Sequence, residues 1–264
     1  MVVTAVTNRH RRHFIRHTWG HPLLTQVTGV KPMFIIGQTK DPKLQAVVES
    51  ESEKHHDIVQ ANFLDSYRNL TYKTTAMLTW ASKNCPHSPV LLKIDDDVIP
   101  NPLALQEFIL AYLQDHPHPT RILGKVRCCD PVLRQGKWGV PKDTYSANGY
   151  PTYVAGPSYI VPMALIPALL QAIRRTSNIS HESLSFLFLE DVYTTGLAAK
   201  TGSIHHYSIL SLTNSHASKM DYLWCSGARV FQEVETWKSC GCWKIPGERK
   251  SEGSHKGMEC TPKT

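Results

Sequence analysis

No run in this sequence reaches the ~18 consecutive apolar residues that a membrane-spanning helix requires. The best candidate, IVPMALIPALLQAI at 160–173, is broken by two prolines and reads as the end of a strand running into a core helix. The order of a signal peptide is missing as well, because in MVVTAVTNRHRR the apolar residues precede the charges instead of following them. A protein working in the secretory pathway would need an exporting segment that is missing from this chain. There is no C-x-x-C pair, which argues against a zinc module. Nor is there an internal repeat or a low-complexity linker. The simplest division is one ordered domain over 1–224 and a Cys-containing tail over 225–264.

What is present is ordinary in bulk and uneven in detail. At 41% hydrophobic and 19% charged residues, the 264-residue chain can bury a core, and disorder is not the default. A net charge of +7, from 29 basic against 22 acidic residues, mildly favours an anionic partner. Four of the seven cysteines, Cys225, Cys240, Cys242 and Cys260, crowd the last 40 residues, as a disulfide-tied tail in an oxidising compartment would. Asn69-Leu-Thr71 and Asn178-Ile-Ser180 are acceptor patterns for N-glycosylation.

Apolar, β-branched runs at 1–6, 33–37 and 58–64 predict strands, each followed by helix-compatible sequence. Between 66 and 83, Tyr67, Leu70, Thr74, Met77, Leu78 and Ala81 recur at the spacing of an amphipathic helix, with Asp65 or Ser66 as its cap. Residues 89–94, PVLLKI, are apolar on both faces apart from Lys93, as expected of a central parallel strand. A helix near 102–114, a broken Pro/Gly-rich region over 116–157, a strand at YIV, a helix over 163–175 and an apolar stretch leading to Glu190-Asp191 follow. This alternation predicts an α/β sandwich with a mostly parallel central sheet flanked by helices. In such sheets ligands bind beyond the carboxyl ends of the strands.

Asp95, Asp96 and Asp97 stand at one of those ends, where three like charges repel unless something positive is shared. A hard divalent cation with oxygen ligands would serve, and so would a solvated acidic turn that caps the next helix. RHRRHFIRHTWG at 9–20 is basic, yet Phe14, Ile15 and Trp19 interrupt the charges at helical spacing. A folded basic segment suits a nucleotide diphosphate better than a nucleic-acid duplex, which would want a broader face. Glu190-Asp191 could cap the helix over 193–200 or supply a general base. Tyr150, Tyr153 and Tyr159 beside Gly156 could form a sugar platform or simply pack in the core. His216, in SHASKMDYLW, is the histidine with the most distinctive surroundings.

Taken in order, RRHFIRHTWG, NFLDSYRNLTYKT, LLKIDDDV, KWGVPKDTYSANGYPTYVAGPSYIV and FLEDVYTTGL resemble successive blocks of the β-1,3-galactosyltransferase and β-1,3-N-acetylglucosaminyltransferase family, related to fringe. The resemblance covers roughly residues 1–224. It implies a GT-A type nucleotide-sugar transferase fold, a UDP-sugar donor, Mn²⁺, and inversion at the anomeric carbon to give a β-1,3 linkage. It implies donor contacts at Arg12, Arg16, Asp95 and Asp96, metal ligands at Asp97 and His216, and a base at Asp191. Tyr153, Gly156 and Glu190 become the expected acceptor contacts. The expected acceptor is a glycoprotein or glycolipid glycan, not a nucleic acid, with galactose the preferred sugar and N-acetylglucosamine the alternative. An inactive, lectin-like relative is a further alternative. Relatives are type II Golgi membrane proteins, so the expected site of action is the Golgi lumen, through an anchor absent from this chain.

The chain departs from the family pattern at two points. Val154 stands where a Cys commonly follows the Tyr-Pro-x-Tyr turn, which removes the disulfide expected there. EDVYTTG carries one more residue before glycine than the common EDVYxG.

Overall fold

The structure is a computed structural model that describes residues 1–179 and 187–209, together with the short strand Val230–Phe231. His216 and the tail cysteines lie outside the described residues.

A seven-stranded mixed sheet forms the centre of the molecule. Its strands are β1 (Val2–Val3), β2 (Phe34–Gln38), β3 (Ile58–Leu64), β4 (Val90–Asp95), β6 (Arg121–Arg127), β7 (Tyr153–Pro162) and β8 (His205–Ser208), in the order β3-β2-β1-β4-β7-β6-β8. A separate two-stranded ribbon pairs β5 (Ile99–Pro100) with β9 (Val230–Phe231). β3, β2, β1 and β4 are mutually parallel, β7 runs against both β4 and β6, and β8 is parallel to β6. The expected sandwich with helices on both faces is therefore present, with β7 as its reversed strand.

The helices form where local chemistry favours them. α3 (Pro42–His55) starts with proline in its first turn, behind Asp41, whose carboxylate accepts from the amides of Lys43 and Leu44. α5 (Pro102–Asp115) is built the same way on Asn101. α4 (Leu70–Asn84) follows a 3₁₀ turn at Tyr67–Asn69, but neither Asp65 nor Ser66 caps it. Asp65 instead accepts from the backbone amide of Val6 at 2.9 Å and from Lys73 Nζ at 2.6 Å. An ion pair to Lys73 on α4 and a long-range hydrogen bond from Val6 have displaced the local cap.

β6 is a strand inside the region whose prolines and glycines suggested broken structure. Its sequence, RILGKVR, alternates poorly and contains Gly124, where an added Cβ would meet Val154 at 2.4 Å. That close approach is what a strand glycine permits.

The core lies in two layers, one on each face of the sheet. Val3 and Ile35 face one way, with Met77, Leu78 and Ala81 of α4 and Leu169, Ala172 and Ile173 of α6 (Ile166–Ile179). Val2, Phe34 and Ile94 face the other, with Leu105 and Tyr112 of α5 and Ile15 and Trp19 on and just after α1 (Arg9–Arg16). Neighbouring residues of a strand thus supply opposite layers, as the pleat requires.

α1 is fastened to α3 by charge. Arg12, fully buried, donates to both Glu51 carboxylate oxygens, and Arg16 donates to Glu51 and to Asp57. Burial pushes the Glu51 carboxyl up, but the hydrogen bonds from Arg12 and Arg16 outweigh it and hold the group below the ordinary carboxylate range. A depressed carboxyl contributes stability above its unfolded pKa and loses that contribution as pH falls through the folded value. Glu51→Gln should leave the buried Arg12 guanidinium without a carboxylate partner, while Arg16 keeps Asp57, and cost about 3–5 kcal/mol in urea unfolding at pH 7. The gap between variant and parent should close on acidification, and a constant gap down to pH 3 would contradict this assignment.

Candidate active site

The carboxyl ends of all four parallel strands open onto one cleft of about 400 Å³. Thr4 to Asn8 follow β1, Gln38 and Thr39 follow β2, Leu64 to Ser66 end β3, and Asp95 to Asp97 end β4. The chain winds outward from β1 to β3 and then returns to place β4 on the other side of β1. Asp95–Asp97 therefore stand at the point where the strand order reverses, the usual ligand crevice of such sheets. A second cleft of about 660 Å³ lies beside it, lined by Lys93, Arg127, Asp130, Trp138, Tyr150, Tyr153, Gly156 and the acids Glu190 and Asp191, among others. Tyr67, Leu70, Asp95 and Asp97 line both clefts.

The three aspartates have three different environments. Asp96 is buried and accepts from Thr4 Oγ1 at 2.5 Å, Asn8 Nδ2 at 2.8 Å and Arg11 at 2.6 Å, so it stitches the β1 loop to the end of β4. Asp95 accepts from Lys93 Nζ at 2.7 Å. Burial pushes its carboxyl up to about 7 against the pull of Lys93, with the charges of Glu190 and Asp97 adding to the rise. Asp97 is the most open of the three, and among the described residues its ion partner is Arg11 at 3.6 Å.

Arg12 and Arg16, expected at the donor, are not free to contact one. Both guanidiniums are spent on Glu51 and Asp57, and Arg12 also donates to the carbonyls of Ala5 and Val6. Arg12 thereby holds the backbone of the loop after β1, which lines the first cleft. Arg11, one residue earlier, is the arginine that reaches the aspartates.

Glu190, expected at the acceptor, is also largely committed inward. Its carboxylate accepts from Thr74 Oγ1 and Tyr159 Oη, both at 3.0 Å, and lies 2.9 Å from Lys93 Nζ. Lys93 is buried and donates to Asp95 and to the Gly156 carbonyl. Its ammonium is held charged well above the ordinary lysine value, because Asp95 and Glu190 outweigh the cost of burial. Tyr150, Tyr153 and Tyr159 are all buried in the core, and Tyr150 and Tyr153 also line the second cleft.

Asp191 starts the turn after Leu189 with its carboxylate set toward β7. One oxygen accepts from the Gly156 amide at 2.9 Å and the other from its neighbour Val192. Burial pushes its carboxyl up to about 6, helped by Glu190 and opposed by the Val192 amide, Lys93 and the Gly156 amide. Val192–Ala198 is wound as a π-helix before Ala199–Thr201 returns to α-helical form. Thr195 ties it to β7, donating to the Asp191 carbonyl at 2.7 Å and accepting from the Val154 amide at 2.8 Å.

An exposed aromatic rim completes the second cleft. Trp138 Nε1 donates to Tyr67 Oη at 3.0 Å, and Lys137 Nζ lies 5.3 Å from the Tyr67 ring centre and 5.5 Å from that of Trp138. No spacing or charge pattern in the sequence marks Trp138 as a site residue. A tryptophan in a polar, glycine-bearing loop was the signal available. Tyr153 donates to Asp130 at 2.6 Å on the same wall.

The glycosylation patterns fare unevenly. Asn69 spends its amide on the Leu64 carbonyl at 2.7 Å, and the Thr71 hydroxyl is buried against the Leu187 carbonyl. The folded site therefore does not present that tripeptide. Asn178 lies in the last turn of α6.

The sequence model of the Galactosyltransferase family matches residues 10–209. This chain belongs to that family. It is 31% identical over 236 residues to beta-1,3-galactosyltransferase 1 of Mus musculus, covering 87% of this chain and 68% of the mouse protein. It is 28% identical over 254 residues to lactosylceramide 1,3-N-acetyl-beta-D-glucosaminyltransferase A of Xenopus laevis, covering 84% of this chain and 64% of the frog protein. The matched region thus spans about two thirds of the length of these relatives. A solved glycosyltransferase involved in the glycosylation of the major capsid of PBCV-1 overlays at a TM-score of 0.40 and 11% identity, covering 76% of this chain and 92% of that one.

An added Cβ at Gly156 would sit 3.0 Å from Asp191 Oδ2. Gly156→Ala should push that carboxylate off the Gly156 amide, one of two donors that favour its charged form. The Asp191 carboxyl should then titrate above about 6 in a ¹³C NMR titration. An unchanged titration would remove Gly156 as a positioning residue.

Proposed function

We propose that the chain carries the catalytic domain of an inverting, metal-dependent β-1,3-hexosyltransferase of the GT-A type. Its donor on this reading is a UDP-sugar, galactose preferred and N-acetylglucosamine the alternative, and its acceptor a glycoprotein or glycolipid glycan. The reading rests on one observation: Asp95 and Asp97 line both of two adjoining clefts, and Asp191, a partly exposed carboxylate, lines the second. A transferase needs that plan, one site for an activated donor, one for an acceptor, and a base on the acceptor side. The names of the mouse and frog relatives suggest both sugars and, for the frog protein, a glycolipid acceptor. A location in the Golgi lumen follows from the same reading.

The residues at the boundary suit a divalent cation. The Lys93 ammonium is shared between Asp95 and Glu190, which leaves Asp97 without a full counter-charge. Among the described residues no three metal-binding side chains converge, which fits an ion held by one or two carboxylates and by donor phosphates. Asp97, with Asp95 beside it, would hold Mn²⁺, and His216 remains the family's expected further ligand. The ion would supply positive charge to the departing diphosphate, typically worth several kcal/mol.

Asp191 takes the proton from the acceptor's 3-hydroxyl. That oxygen bonds to the anomeric carbon as the carbon–phosphate oxygen bond breaks on the opposite face, so one displacement inverts the centre and UDP leaves. No enzyme nucleophile is needed. The rim of Tyr67 and Trp138 offers flat apolar contact to the acceptor sugar.

Assay of a UDP-sugar panel with Mn²⁺ against a glycan array tests the reading, and silence with every donor would sink it. Asp97→Ala should abolish Mn²⁺-dependent UDP binding in calorimetry. Asp191→Asn should retain that binding and lower turnover by about 10²–10⁴-fold, the range of general base catalysis. A base must be deprotonated to act, so turnover should fall as pH drops through about 6. Trp138→Ala should raise the acceptor KM by roughly tenfold, equivalent to about 1.4 kcal/mol of lost contact, with donor KM unchanged.

A further inference from the structure

We infer that Cys128 and Cys129 form a reactive vicinal dithiol, able to capture a trivalent arsenical when reduced and to close into a vicinal disulfide by exchange with oxidised glutathione. Two independent features point there. The two Sγ atoms are 2.8 Å apart and both side chains are exposed, so the thiols face one another in a position that a small oxidant or soft electrophile can reach. The backbone is also bent to put them there. Cys129 has φ of +61°, a left-handed conformation that non-glycine residues adopt at a cost.

The surrounding backbone explains how the bend is held. The β6–β7 ladder runs to the pair Arg127–Tyr153, lapses, and resumes where the Tyr150 amide donates to the Asp130 carbonyl at 2.9 Å and Pro131 bridges Gly149. The two cysteines fill the gap. Arg127 and Asp130, which flank them in the chain, form an ion pair, and Asp130 holds the Tyr153 hydroxyl. The contact with Cys129 also lowers the Cys128 thiol below its ordinary value, which favours the attacking thiolate.

The exchange balances without any group from the fold. The Cys128 thiolate attacks one sulfur of oxidised glutathione and releases glutathione, leaving a mixed disulfide on Cys128. The Cys129 thiolate then attacks the Cys128 sulfur and releases the second glutathione. The protein loses two electrons and two protons, and the oxidised glutathione gains them. With phenylarsine oxide, arsenic bonds to both sulfurs and its oxygen leaves as water.

Asp130 couples the pair to the second cleft, so closing the ring should alter the acceptor side in preference to the donor side. That consequence rests on the transferase reading; the thiol chemistry does not. In the full chain, peptide mapping by mass spectrometry should find the 127–131 peptide two hydrogens lighter after oxidised glutathione. After phenylarsine oxide it should carry one arsenical. Cys128→Ser and Cys129→Ser should each abolish both products, while Cys85→Ser should leave both intact. A stable glutathione adduct on Cys128, or a bridge from either cysteine to one at 225, 240, 242 or 260, would overturn the assignment. Oxidation should change the acceptor KM several-fold and leave the donor KM alone, with the Cys128→Ser chain indifferent. Equal acceptor KM in both redox forms would sever the pair from the cleft. Absence of turnover with every donor would sink the transferase reading and leave the mapped product to decide the chemistry.

Discussion

Lys93 brings an ammonium into the middle of the sheet, where an unpaired charge would be prohibitive. It is kept there by three anionic or dipolar neighbours from three parts of the chain: Asp95 at the end of its own strand, Glu190 on the segment after α6, and the Gly156 carbonyl of β7. Breaking any one contact leaves a buried charge under-compensated, so the three segments are constrained together. That constraint fixes the boundary between the clefts relative to the segment bearing Asp191. The neighbouring hydrogen bond from the Gly156 amide to Asp191 then sets the acid on the wall of the second cleft. The apolar layers hold the sheet, but it is this charge that aligns the chemistry upon it.

The same arrangement explains how adjacent acids come to do different work. Asp96 and Glu190 are held by inward donors and act as struts, one between the segment after β1 and the end of β4, the other between α4 and β7. Asp97 and Asp191, one residue on in each case, keep open faces. A turn closed by the Val98 amide on the Asp95 carbonyl separates the first pair, and the start of a helix separates the second. In both places a buried acid is followed by one that is partly exposed.

Much of this was legible in the sequence because it depends on local pattern. The apolar run of LLKIDDDV required a strand, and three aspartates at its end required a boundary with open space. Glu190-Asp191 after an apolar stretch carried the same information. What failed was the choice of partners. The spacing of Arg12, Ile15, Arg16 and Trp19 places all four on one helical face, and two of them are obligate core residues. That periodicity argued for buried arginines with internal acids, whereas Arg11, off that face, was left to meet Asp96. The missing cap at Asp65 and the network around Lys93 were beyond local reading, since their partners lie far apart in sequence. β6 was lost for a different reason: its glycine reads as a breaker until the side chain of Val154 is seen to need the space.

The π-helical winding at Val192–Ala198 changes what the extra residue of EDVYTTG means. Inserting one residue into an α-helix rotates everything beyond it by about 100°, which would swing the following strand out of alignment. A wider turn absorbs the residue locally, because each winding holds one more amide before the chain continues in phase. Thr195 sits on the bulged stretch with its hydroxyl between the Asp191 carbonyl and the Val154 backbone. The segment thus works like an expansion joint: its length can vary by a residue while the acid at one end and the sheet edge at the other stay in register.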